Sequence, residues 1–120
     1  GCGDDGASVV APTPSGPSTE TFTSNLNVRG SVWRLIAASA PGTLSATLTS
    51  ASQPSTVVGF GVGIRNGNGT GCLLNSAVTV TAGSAPQISL PVDSGAYCVR
   101  IFDVGTLTDP MGFTITIVRP

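Results

Sequence analysis

The chain has no histidine and no lysine, and these two absences remove most of the groups that proteins use for chemistry. Without histidine there is no imidazole base to activate a Ser or Cys nucleophile, and the commonest metal ligand is missing. Without lysine there is no Schiff-base amine and no Ser–Lys pair. Charge of either sign is also scarce. Asp, Glu, Lys and Arg make up 9% of the 120 residues, against roughly 25% in a typical soluble domain. The net charge is −1, and Arg29, Arg34, Arg65, Arg100 and Arg119 are scattered singly. That leaves no basic surface for nucleic acid or for an anionic membrane. No apolar run approaches the ~20 residues of a membrane-spanning helix, so no transmembrane segment is expected. One Trp, one Tyr and four Phe are few for a glycan-binding sandwich that offers several stacking rings.

The polar surface must therefore be built from Ser, Thr, Asn and backbone. A near-neutral surface repels its own copies weakly, which permits self-association. Three cysteines stand at Cys2, Cys72 and Cys98. Cys72 and Cys98 lie within strand-like apolar sequence and are expected to pair in an oxidising compartment, the alternative being two buried free thiols. Closing that loop stabilises a fold by roughly 3 kcal/mol on the chain-entropy argument. Cys2 is left over, for an intermolecular bond, a lipid anchor or a free thiol.

Two regions are expected. Residues 1–20 read as an extended Pro/Ser/Thr-rich tail or donor segment, with Asp4 and Asp5 ahead of Ala7-Ser8-Val9-Val10-Ala11 and prolines at 12, 14 and 17. The prolines remove backbone donors and favour an extended path. Residues 21–120 read as the folded domain, with a period of two throughout. Apolar residues alternate along 32–37, 43–49, 58–64, 88–92, 97–102 and 113–118, and two further short strands, 72–74 and 78–80, flank Asn75-Ser76. Pro41-Gly42, Asn66-Gly67, Asn68-Gly69 and Asp109-Pro110 punctuate the joins. About eight short strands with Gly- and Pro-rich turns and no helix predict an all-β protein, a single jelly-roll-like β-sandwich carrying an extended N-terminal tail.

Gly30-Ser31-Val32-Trp33-Arg34, Gly42-Thr43-Leu44-Ser45-Ala46-Thr47-Leu48, Asp93-Ser94-Gly95-Ala96-Tyr97-Cys98-Val99-Arg100-Ile101 and the closing Gly112-Phe113-Thr114-Ile115-Thr116-Ile117 carry a resemblance. Over residues 29–120 the chain resembles the bacterial pre-peptidase C-terminal (PPC) domain, a jelly-roll sandwich of secreted proteins. The resemblance implies an accessory module, of a kind that in some members binds matrix polymers or calcium. Gly1-Cys2 is similar to the end of a bacterial lipobox, and the acidic, Ser/Pro-rich stretch behind it fits a lipoprotein tether. Gly1 departs from that pattern, because processing would leave Cys2 first.

Catalysis is not expected. Paired acids for glycosidic cleavage would have to come from Asp93, Asp103 and Asp109, which all adjoin turn residues, where Asp side chains cap backbone donors. No cofactor is expected, apart from calcium. Asp103 and Asp109, in a loop that also offers Thr106 and Thr108, are the candidate ligands for that hard cation. Gly59, Gly61 and Gly63, followed by Asn66-Gly67-Asn68-Gly69-Thr70-Gly71, lack the helix and the Lys of a phosphate cradle. They read instead as a smooth strand face, either letting another backbone or sheet approach closely or packing between molecules. Asn68-Gly69-Thr70 is an N-glycosylation sequon by pattern. Trp33 and Phe102 are the candidate exposed rings for ligand contact, while Phe60, Tyr97 and Phe113 belong to the core.

The sequence thus points to a non-catalytic extracellular structural subunit at the bacterial cell surface, a homo-oligomer or filament in which Ser8, Val9, Val10 and Ala11 add a strand to a neighbour. The alternative is a monomeric surface lipoprotein that binds a glycan or matrix polymer.

Overall fold

The computed structural model describes residues 18–65 and 72–120. Eight strands follow in order: β1 (Ser18–Leu26), β2 (Ser31–Ala38), β3 (Gly42–Ala51), β4 (Val58–Arg65), β5 (Cys72–Val80), β6 (Ile88–Val92), β7 (Gly95–Phe102) and β8 (Met111–Arg119). They form two four-stranded sheets, β1-β8-β3-β6 and β2-β7-β4-β5, with every pairing antiparallel. Strand β1 pairs with β8, β2 with β7, β3 with β6 and β4 with β5. The chain is thus one long hairpin wrapped on itself, knitted together by β3–β8 and β4–β7. This is the eight-stranded jelly roll that the turn signals predict.

Alternation explains the sandwich. In β8, Met111, Phe113, Ile115 and Ile117 are buried, and Thr114 and Thr116 point the other way. Leu44, Ala46 and Leu48 of β3 face them across the register, and Val58, Phe60, Val62, Val99 and Ile101 close the core from the second sheet. Each fully buried side chain of this size contributes about 1.5–3 kcal/mol.

Two elements differ from the sequence reading. β1 takes in residues 18–20, which composition assigns to the tail, and STETFTSNL gives little apolar alternation because β1 is a sheet edge. It is held by its ladder to β8, by a Thr23–Thr114 hydroxyl pair at 3.0 Å, and by Phe22, edge-on to Phe113 at 6.2 Å. Conversely, the two short strands expected around Asn75-Ser76 are one strand. Val62 pairs with Ser76 and Gly63 with Leu74, so Asn75 is a bulge and not a turn.

Between the layers, Glu20 of β1 meets Arg34 of β2 at 2.9 Å and Arg119 of β8 at 3.6 Å. The Arg34 guanidinium also lies 5.0 Å from the Phe22 ring centroid. These contacts fasten the β1 edge of one sheet to the β2 edge of the other.

Candidate functional site

Because Ile36, Val99 and Ile101 are core, the residues between them on β2 and β7 face outward. Register then sets Trp33 beside Arg100, Leu35 beside Cys98 and Ser31 beside Phe102. The two rings singled out in the sequence therefore share one sheet face, each half-buried. Arg100 stands between them, its guanidinium 5.2 Å from the Phe102 ring centroid, a cation–π contact of ~0.5–1 kcal/mol at an exposed site. Sequence reasoning missed Arg100. Its only signal was an even spacing from Phe102.

The same face explains the glycines of β4. A side chain at Gly59 would collide with the Phe102 ring, one at Gly61 would sit 2.7 Å from Leu74 Cδ1, and one at Gly63 would overlap the Leu73 carbonyl. All three glycines are buried. The chain's own backbone and side chains fill this smooth stripe, so it is not a packing surface between molecules. Close approach, the other expectation for these glycines, is what the structure shows.

Cys72 and Cys98 form a disulfide with a Cα–Cα separation of 5.9 Å. Their strands, β5 and β7, flank β4 on either side. The bond spans β4 because the start of β5 leans across Gly63, which shortens the roughly 9.6 Å of two strand spacings to a Cα–Cα distance of 5.9 Å. Beyond it, an open groove of about 560 Å³ is lined by Ala77, Val78, Thr79 and Phe102. No charged side chain among the described residues lines it, and backbone polar groups share its surface with the apolar side chains. Such walls suit an extended chain or an uncharged ligand better than an ion.

Two of the candidate acids stand too far apart to flank one bond as a pair. Asp93 and Asp103 flank opposite ends of β7, roughly 25 Å apart at strand rise. Asp103 Oδ2 accepts a bond from the Arg29 N–H at 2.8 Å, and Oδ1 accepts from the N–H groups of Gly105, Thr106 and Leu107 at 2.9–3.1 Å. These donors, Arg29 first, together hold its carboxyl down at about 2 against desolvation, which opposes them and ranks next after the Arg29 bond. Asp103 thus ties the β1–β2 turn to the β7–β8 loop. Thr106 extends the knot by donating to the Val57 carbonyl. Asp109 contributes its backbone carbonyl, to Gln53 Nε2 at 3.3 Å. Among the described residues, no three His, Cys, Asp or Glu side chains lie close enough together to hold a metal ion.

Tyr97, half-buried against the core as expected, bridges the β6–β7 turn. Its hydroxyl donates to the Asp93 carbonyl at 2.8 Å and accepts from the Asp93 N–H at 3.1 Å. Cys2, Ser8, Val9, Val10, Ala11 and Asn68 lie outside the described residues. No helix among the described residues is long and apolar enough to cross a membrane. The chain matches no family model and no curated protein.

Proposed function

We propose that this chain is a non-catalytic structural subunit of the bacterial cell surface that polymerises by strand donation. Ser8, Val9, Val10 and Ala11 of one copy add a strand to an open sheet edge of the next. The observation that carries this reading is the state of the edges. β1 and β5 are nine-residue edge strands without proline; β1 carries one charge, Glu20, and β5 carries none. Soluble sandwiches commonly guard such strands with lysine, proline or short length. An added strand satisfies the open N–H and C=O groups. The disulfide agrees with an oxidising, extracellular setting. The jelly-roll strand order is in keeping with a PPC-like module over residues 29–120, and Cys2, ahead of the donor segment, serves as a covalent lock or a lipid anchor.

Electron microscopy and sedimentation of the intact chain against residues 18–120 test this. Intact protein should form regular polymers, and the truncated protein should remain monomeric with an unchanged melting temperature. Polymers of the truncated chain would rule out strand donation.

A second reading has its own observation. Trp33, Arg100 and Phe102 share the outer face of the β2-β7-β4-β5 sheet, as a glycan-binding monomeric lipoprotein would require. A saturable response of Trp33 to a soluble glycan would favour it.

A further inference from the structure

The four sheet edges are not equivalent as strand acceptors. β6 has five residues and includes Pro91, which has no N–H to offer. β1 and β2 are fastened to each other through Glu20 and Arg34, and the tail itself enters β1. β5 is long, uncharged and free of proline. Past the Asn75 bulge, residues 76–80 run in straight register with residues 58–62 of β4, and no strand among the described residues pairs on their other side. The groove lined by Ala77, Val78, Thr79 and Phe102 follows this stretch, and Val78 is 39% exposed. The disulfide clips β5 to β7, so a load on this edge is carried past β4.

The tail cannot serve its own edge. Ala11 is joined to Ser18 by residues 12–17, three of them proline, an extended reach of about 22 Å. Ser18 pairs with Arg119, which bonds to Ala37, whereas Ser76 lies level with Val99, about three residues further along β7. Three strand spacings, one sheet gap and that offset make a surface path of about 26 Å at its shortest. Residues beyond Ser76 are further still. The occupant is therefore a second copy, whose Val9 and Val10 match the uncharged, apolar character of the edge.

We infer that residues 76–80 of β5 are the acceptor edge for residues 8–11 of a second copy, and that copies join head to tail into an open polymer. This inference rests on the strand-donation reading above. β1 and β5 lie on opposite sides of the sandwich, β1 over β2 and β5 beside β6. Each contact then joins unlike surfaces and leaves one tail and one edge free. With the tail and the acceptor edge on opposite sides of the sandwich, the next copy adds at the far end, which favours a propagating chain over reciprocal exchange between two copies.

A mixing experiment tests the acceptor separately from the donor. Ala77→Lys places a charge beside the edge at an exposed position, with Thr79→Lys as the second variant should Ala77→Lys lower the melting temperature. The lysine variant and residues 18–120 should each sediment as monomers. Mixed, they should form a 1:1 species with the summed mass of the two and nothing longer, because one supplies only a tail and the other only an edge. Lysine variants that polymerise like the parent, while residues 18–120 stay monomeric, would overturn β5 as acceptor and leave strand donation standing. A mixture that stays monomeric would also overturn this inference. Polymers of residues 18–120 alone would overturn both.

Discussion

Leu73 folds its peptide over Gly63, so that its carbonyl occupies the place a Cβ at position 63 would take. This one overlap lets the start of β5 lean across β4 and brings Cys72 within 5.9 Å of Cys98, Cα to Cα. Backbone cannot swing aside as a flexible side chain can. Gly63→Ala should therefore destabilise by about 1–3 kcal/mol through overpacking. Gly83→Ala is the control, since the nearest atom to its added Cβ is Gln87 Nε2 at 3.7 Å, and it should stay within ~0.5 kcal/mol. Urea unfolding midpoints compare the two, and equal costs would mean that the lean of β5 is not fixed by Gly63.

Removing the disulfide should act on β5 first. Cys72→Ser with Cys98→Ser opens a loop with a sequence separation of 26 and should cost about 3 kcal/mol. β5 is an edge held by one neighbour, so its amides should lose hydrogen-exchange protection ahead of those of β3 and β8. Uniform loss across both sheets would show that the bond does not pin the edge in particular.

Asp103 gives the acid limb of stability a definite sign. Its folded-state pKa is lowered from 3.8 to about 2 by the amide donors around it. A depressed carboxyl contributes stability that is complete above its unfolded value and lost as pH falls from about 4 to about 2. Asp103→Asn keeps an acceptor for Gly105, Thr106 and Leu107 but sets an amide nitrogen against the Arg29 N–H. The variant should melt several degrees below the parent at pH 6, and the gap should narrow through that acid window. A gap independent of pH would show that the carboxylate charge is immaterial. Because its oxygens already accept four backbone N–H bonds, calcium should leave the melting temperature unchanged, and a rise on adding calcium would show that this loop opens to bind it.

Glu20 links three strands through Arg34 and Arg119, and all three side chains are partly exposed. Glu20→Gln should cost about 0.5–1 kcal/mol at low salt, with the difference shrinking as salt is added. A loss that persists in 1 M salt would assign the effect to packing of β1 and not to charge.

The strands that bury one clean face were legible in the sequence. Leu44-x-Ala46-x-Leu48 and Phe113-x-Ile115-x-Ile117 alternate because a slip of one residue would expose the whole apolar set. β1 was poorly legible, because an edge strand needs few apolar residues and Ser18–Leu26 offers Phe22 and Leu26 alone. Asn75 imitated a turn because a bulge and a turn favour the same residue types. The Cys72–Cys98 pair could be read from composition, but its path over β4 could not, since it depends on Gly63 meeting the Leu73 peptide. The gathering of Trp33, Arg100 and Phe102 was hidden for a related reason. Each lies on a regular alternation, yet only the β2–β7 register shows that the alternations share an outer face.

Trp33 offers the sharpest division between the two functional readings. It is the chain's single tryptophan, so intrinsic fluorescence reports on that face alone. β2 and β5 are the two opposite edges of their sheet, so a strand added to β5 would lie roughly 19 Å from the β2 backbone. Polymerisation should then leave the emission maximum in place, and so should a panel of soluble glycans. A saturable blue shift with one glycan, abolished by Arg100→Ala and retained in Ala77→Lys, would assign ligand binding to the outer face. A shift that follows polymer formation and vanishes in residues 18–120 would instead move the subunit contact from β5 to β2.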